Sequence, residues 1–174
     1  PVVAVDRIVK AIDAVLSHNR RIKVLIEPKP NEPMDQAYIP TVGAAVATAY
    51  LTRDPRRVGA LLESAHAILA GLDPSDELAY AIAHGKLWSV RLNDLNGLKY
   101  DQDKSFGSTN IRSGFNQVRV LDDNGFGKNG EFVGLDVKVM RTQKREDSFK
   151  HLANSLEVFQ HLLEKFRTLD RRAE

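Results

Sequence analysis

Short apolar runs alternate with longer amphipathic segments along this chain. Four runs rich in aliphatic and β-branched residues predict buried strands, at residues 22–26, 58–62, 87–92 and 132–135. Apolar residues spaced three and four apart predict helices, at residues 2–17, 41–51, 73–84, 110–124 and 147–169. Asp73 and Ser75 are both candidate caps of the third helix. One helix followed by four strand–helix units predicts an α/β fold, with a parallel sheet covered by helices.

Charged residues stand at the end of each predicted strand. Right-handed crossovers make all strands of such a sheet point the same way, so the four strand ends meet at one edge. Chemistry in α/β folds is built at that edge. The strand ends carry Glu27, Glu63, Arg91 and Asp136, and just beyond them come His66, Asp101 and Asp103.

Taken singly, these residues have ordinary structural interpretations. Glu63 could cap a helix beside a surface histidine, His66. An acid and a lysine two residues apart could form a salt bridge at two strand ends, Glu27 with Lys29 and Asp136 with Lys138. Several carboxylates at one edge, however, repel one another unless a cation neutralises them. Carboxylates together with an imidazole therefore predict a site for one or two divalent ions, Mn, Mg or Co.

Composition adds limits to this interpretation. The 174 residues, 43% hydrophobic and 28% charged, suit one soluble domain with a real core. A formal net charge of +2 indicates neither nucleic acid nor an anionic membrane as a partner. The absence of cysteine excludes disulfides, thiolate metal sites and cysteine nucleophiles. No apolar run approaches the ~20 residues of a membrane span and no signal peptide is visible, so we expect a cytoplasmic protein.

Several motifs resemble the xylose isomerase-like sugar isomerases. Residues 26–33 (IEPKPNEP) resemble a strand and loop of that family. Glu63 with His66, residues 97–103 (GLKYDQD) and Asp136 continue the resemblance in the same order. Residues 34–40 (MDQAYIP) and 67–72 (AILAGL) look most like its bacterial L-rhamnose isomerase branch. The resemblance covers nearly the whole chain.

The resemblance implies a (β/α)₈ barrel with two divalent ions at the carboxyl ends of its strands. It implies the interconversion of aldoses and ketoses by a metal-assisted hydride shift. The ligands of a first ion would be Glu27, Glu63 and Asp136. The residues around a second ion would be Glu63, His66, Asp101 and Asp103. By the same resemblance, Asp101 and Asp103 help to activate a water, and Lys29 contacts a substrate oxygen and stabilises developing negative charge.

The chain departs from this family in its extent. Its four strands correspond to strands five to eight, so it lacks the catalytic histidine and the aromatic wall that earlier strands supply. We therefore expect residues 1–174 to form a single half-barrel domain. A half barrel exposes two sheet edges and an apolar face. We expect either a complementary N-terminal half or a second copy of the chain, in a homodimer, to complete it.

Arg91 is the second departure, because the family places an Asp or His ligand of the first ion at this position. Arginine has no lone pair to give to a metal, whereas its guanidinium pairs well with carboxylates. One hypothesis is that Arg91 reaches Glu63, Asp136 or Glu27 and takes the place of the first ion. The alternative is that Arg91 faces solvent and the site is lost.

Two functions follow from these observations. The chain is either the metal-ligand-bearing C-terminal half of an aldose–ketose isomerase, inactive alone, or a non-catalytic fragment or engineered half barrel that self-associates. An epimerase or endonuclease of the same superfamily is a third interpretation. The motifs EPKPNEP and KYDQD disfavour it, and the near-neutral charge disfavours DNA binding.

Overall fold

The structure is a computed structural model that describes residues 2–33 and 35–169. Its helices are α1 (Val2–His18), α2 (Val42–Leu51), α3 (Ser64–Leu69), α4 (Pro74–Ala83), α5 (Ile111–Asp123) and α6 (Ser148–Thr168). Its strands are β1 (Val24–Ile26), β2 (Val58–Glu63), β3 (Leu87–Leu92) and β4 (Phe132–Leu135). Short 3₁₀ turns precede β2 and α6, at Pro55–Arg57 and Arg145–Asp147. None of the described helices is long and apolar enough to cross a membrane.

The four strands form one parallel sheet in the order β1-β2-β3-β4. The prediction of a parallel sheet with alternating helices is therefore confirmed. Glu63, the last residue of β2, pairs with Arg91 near the end of β3. Leu92 of β3 pairs with Leu135 of β4. This register brings the carboxyl ends of the strands to the same edge.

Two observed elements differ clearly from the prediction, and one open alternative is settled. The first strand begins at Val24 rather than residue 22, because its ladder partner in β2 begins at Val58. Helix α3, which directly follows β2, was not predicted, since six residues are too few to show helical periodicity. Helix α4 is capped by Asp73, whose side chain accepts a hydrogen bond from the Ser75 amide at 2.8 Å.

Helices cover one face of the sheet and bury the core there. Alternate strand residues point into this layer, where they pack against apolar residues of α2, α4, α5 and α6. The fully buried members include Leu62, Val90, Leu92, Leu78 and Val118. A second cluster joins α1 and α2 to the first two strands, through Leu16, Ala45, Ala49, Val58 and Ala60.

The opposite, concave face of the sheet carries the alternate set of side chains. Leu25 shares this face with Glu27, and Phe132 shares it with Asp136, because successive strand residues alternate. Both apolar side chains are solvent-exposed, Phe132 to 63%. The Trp88 ring lies so close to Gly59 that a Cβ there would be 2.2 Å from Trp88 Cδ2. In the described part of the chain, β1 and β4 each pair on one side only.

A long loop between β3 and α5 is fixed by Asp94. Backbone hydrogen bonds in both directions join Asp94 to Lys104. The Asp94 carboxylate accepts further bonds from the amides of Thr109, at 2.7 Å, and Asn110, at 3.1 Å. These bonds fix the loop on both sides of Asp101 and Asp103, so that this segment lies at the carboxyl ends of the strands.

Candidate functional site

An open cavity of about 320 Å³ lies at the carboxyl ends of the four strands. The structure brings all the candidate residues from the sequence to this strand-end cavity. Its lining residues are Glu27, Lys29, Glu63, His66, Arg91, Asp101, Asp103 and Asp136. Met34, which belongs to one of the resembling motifs, lies outside the described residues. The catalytic and ligand roles of the lining residues stay predictions.

His66 is held at the centre of the cavity by α3, one turn after Glu63. It is only 7% exposed, so the interpretation as a surface histidine is wrong. Its Nδ1 lies 3.0 Å from the carbonyl oxygen of Pro28, which only accepts, so this nitrogen carries the proton. Its Nε2 faces Asp101 Oδ2 at 3.1 Å and Glu63 Oε1 at 3.2 Å. A nitrogen lone pair between two carboxylates needs a second ring proton or a bound cation.

Asn93 is a member of the site that the sequence interpretation missed. It follows β3 directly and is 1% exposed. Its side-chain amide donates to Glu63 Oε1 at 2.8 Å and to Asp103 Oδ1 at 3.2 Å, and its Oδ1 accepts from the Ala65 amide at 2.7 Å. Asn93 therefore fixes the position of Glu63 relative to Asp103. A polar residue just past a buried strand was the only signal in the sequence.

The two lysines pair with the acids of the long loop, not with their sequence neighbours. Lys29 Nζ lies 2.7 Å from Asp101 Oδ2 and 3.8 Å from Glu32 Oε2. Lys138 forms an ion pair with Asp103. The alternative strand-end bridges are thus not the observed pairings. Glu63 lies at the N-cap position of α3, but its side chain makes no capping hydrogen bond, so its interpretation as a cap is also wrong.

Burial and charge shift the ionisation of these groups in opposite directions. Burial opposes the charge of Asp101, but hydrogen bonds from His66 and Lys29 outweigh it and hold its pKa well below the usual range. Burial also opposes the charge of Lys29, yet its hydrogen bond to Asp101 and the charge of that carboxylate raise its pKa. Lys29 is therefore protonated at neutral pH.

Crowding of carboxylates has the reverse effect on two other acids. Burial, together with contact to Glu27, raises the pKa of Glu63 to about 9 in the absence of a metal. Burial and the neighbouring Asp101 raise the pKa of Asp103. Both shifts reflect the cost of an uncompensated negative charge in the cavity, which a bound cation would offset.

Two groups of side chains are arranged as metal ligands. The first group is Glu27, Glu63 and His66, and the second is Glu63, Asp101 and Asp103. Within each group, one potential ligand atom of each residue lies within 4.8 Å of those of the other two. Asp101 Oδ1 is buried and has no hydrogen-bond donor among the described residues. Carboxylate oxygens and one imidazole suit Mn, Mg or Co. The residues present fit a divalent ion.

Arg91 points into the cavity from β3. One of its terminal nitrogens lies 2.9 Å from Asp136 Oδ2 and 3.2 Å from Glu27 Oε1. Of the three acids considered from the sequence, Arg91 thus meets two, and these come from the two outer strands. Its side chain is 42% exposed, toward the open mouth. Whether this contact replaces an ion stays a prediction.

Known proteins resemble this chain over most of its length. The xylose isomerase of Streptomyces lividans is 37% identical over 144 residues, 80% of this chain and 36% of that protein. The xylose isomerase of Thermus thermophilus is 37% identical over 121 residues, 70% of this chain and 30% of that protein. No protein-family model matches the chain.

The chain spans about a third of the length of these two relatives. It is a distant homologue of xylose isomerase over most of its own residues, and it corresponds to part of that sugar isomerase. Four parallel strands alternating with helices are consistent with a fragment of a TIM barrel.

Proposed function

We propose that this chain is the metal-ligand-bearing, C-terminal part of an aldose–ketose isomerase that acts by a metal-assisted hydride shift. One observation supports this proposal above the others. Five carboxylates, a histidine and a lysine line one cavity, and they stand at the positions of the sugar-isomerase motifs in chain order. A bound Mn, Mg or Co would supply a Lewis acid that polarises a sugar carbonyl.

Lys29 is the group that contacts a substrate oxygen. Its pairing with Asp101 keeps it protonated and fixes its direction toward the cavity. An ammonium held in place before substrate arrives stabilises developing negative charge without reorganisation. Substitution of Lys29 should therefore lower kcat more than it raises KM.

Asp101 and Asp103 divide the proton chemistry between them. Asp101 stays ionised because the Lys29 ammonium donates to it at 2.7 Å. Asp103 has a raised pKa and is the better proton acceptor of the two. A proton-accepting role for Asp103 agrees with the help in activating a water that the resemblance implies.

The substrate of the complete protein is an aldose or ketose, and L-rhamnose is the specific candidate. Two motifs, at residues 34–40 and at residues 67–72, favour the L-rhamnose isomerase branch over the xylose isomerases. A sugar pocket also needs walls that four strands do not provide, because the concave face is open to solvent here. We therefore expect the chain to be inactive without a complementary half barrel.

A complementation assay tests this proposal. The chain is co-expressed with the part of the Streptomyces lividans enzyme outside the matched region, and ketose formation from L-rhamnose and D-xylose is measured with Mn²⁺. We expect no turnover by the chain alone and turnover by the mixture, at least with Arg91→Asp, which restores a carboxylate. Lys29→Met should abolish it, while Lys99→Met, in the exposed part of the loop after β3, should not. The proposal would be refuted if the two halves co-purify as a complex but show no turnover, both with the wild-type chain and with the Arg91→Asp variant.

A second candidate function is a non-catalytic, self-associating half barrel. Exposed Phe132 on β4 and Leu25 on β1 favour it, because both lie on the concave face beside an unpaired edge. A second copy could place its β1 beside β4 and its β4 beside β1, which gives eight parallel strands. Arg91 agrees with this function, since an internal cation reduces the need for metal.

The solution mass distinguishes this candidate from the first. A metal-free homodimer that Phe132→Asp converts to monomer, and that shows no turnover in the complementation assay, would favour the scaffold. A monomer that dimerises only with the complementary half would count against it. Light scattering with metal analysis on the same chromatographic peak provides both readings.

A further inference from the structure

We propose that the Arg91 guanidinium permanently occupies the place of one metal ion, so that the cavity holds a single divalent ion beside Glu63, His66, Asp101 and Asp103. This inference rests on the proposed function, because it assumes that the cavity is a metal site. It concerns how many ions this particular chain binds and which residue sets that number.

The contacts of Arg91 are the first reason. Its guanidinium bridges Glu27 and Asp136, at 3.2 and 2.9 Å, across the two outer strands. An ion needs lone pairs from these same carboxylates, and a guanidinium nitrogen offers none in return. A cation and Arg91 therefore cannot both occupy the space between Glu27 and Asp136.

The charge of the site is the second reason. Five carboxylates line the cavity, and three cations pair with them: Lys29, Arg91 and Lys138. With every acid ionised, as metal binding requires of its ligands, five negative and three positive charges leave a formal charge of −2, which one divalent ion neutralises. A carboxylate at position 91 would make this charge −4, which two such ions would neutralise.

The remaining position is ready for an ion, and Arg91 does not reach it. His66 Nε2 lies 3.2 Å from Glu63 Oε1 and 3.1 Å from Asp101 Oδ2, with its other nitrogen already bonded to a carbonyl. This is the arrangement in which a histidine binds metal. Asp101 Oδ1 is buried without a donor among the described residues. A cation there would satisfy both groups at once.

Mn²⁺ stoichiometry tests the proposal without any activity measurement. Calorimetric titration of the full chain should give one Mn²⁺ per chain for the wild type and two for Arg91→Asp. The electron paramagnetic resonance spectrum gives an independent reading. Wild-type protein should show isolated Mn²⁺, whereas two ions that share Glu63 in the variant should be magnetically coupled.

Arg20→Asp is the matched control, because it makes the same charge change at the exposed turn before β1, at the other end of the sheet. It should bind one ion, like the wild type. Two ions in the wild type, or only one in a folded Arg91→Asp protein, would overturn this inference and leave the proposed function standing. No ion in any of the three folded proteins would overturn both. Circular dichroism establishes that each variant is folded.

Discussion

Asn93→Ala removes a buried side chain, 1% exposed, that joins three groups of the site. The substitution deletes the acceptor of the buried Ala65 amide and the donor to Glu63 and Asp103. We expect it to lower both the free energy of unfolding and the affinity for Mn²⁺.

The magnitude follows from the three bonds. An unsatisfied, buried Ala65 N–H costs about 1–3 kcal/mol, and a hydrogen bond to the carboxyl of Glu63 contributes about 1 kcal/mol. The 3.2 Å bond to Asp103 is long and adds less. A total of about 2–4 kcal/mol is a large share of the roughly 5–15 kcal/mol that stabilises a typical domain. Misplaced ligands should weaken Mn²⁺ binding about 10–100-fold.

Urea unfolding followed by circular dichroism measures the stability change. With an m value of roughly 2 kcal/mol/M, the midpoint should fall by about 1–2 M with the slope unchanged. Asn96→Ala is the control, because this exposed asparagine in the same loop uses only its backbone amide in the bonds seen here. A loss below about 1 kcal/mol for Asn93→Ala, or an equal loss for both variants, would refute the reasoning.

Three further predictions concern the fold and its ionisation. Gly59→Ala should lower the free energy of unfolding by about 1–3 kcal/mol in a fluorescence-monitored melt, and it should shift the emission of Trp88, the only tryptophan. Gly43→Ala is the control and should not destabilise the protein, because a Cβ there meets nothing closer than 3.8 Å. Asp73→Ala should cost about 1 kcal/mol of unfolding free energy in urea, by loss of the α4 cap. In EDTA, the raised pKa of Glu63 means that its contribution to stability is present below its unfolded value of 4.5 and is lost as pH rises toward about 9. Glu63→Gln should flatten that dependence in thermal melts, and an unchanged slope would contradict the assignment to Glu63.

The sheet could be predicted because its signals are local. All four predicted runs are mostly apolar and are bounded by charged residues or, after Leu92, by Asn93. The parallel order follows from the helices between them. The strand-end charges could be placed together for the same reason. Their position depends only on strand direction, which βα connections fix.

The partners within the site could not be predicted, because they depend on distant loops. Lys29 pairs with Asp101, 72 residues away in sequence, and not with Glu27 two residues before it. Asn93 carries no charge and its neighbour Asp94 looks at least as functional, yet the Asp94 carboxylate accepts hydrogen bonds from amides of the loop. Side-chain choices of this kind become visible once the backbone places several elements around one point.

The strand-end cavity concentrates costs that the rest of the fold avoids. Asp103 has a backbone φ of 44°, in the left-handed region that residues other than glycine rarely adopt. Asp101 keeps a buried oxygen without a donor in the described chain, and Glu63 is buried among other carboxylates. Strain, an unsatisfied oxygen and crowded charge in one place agree with the proposed metal site, where a divalent ion would relieve the last two together.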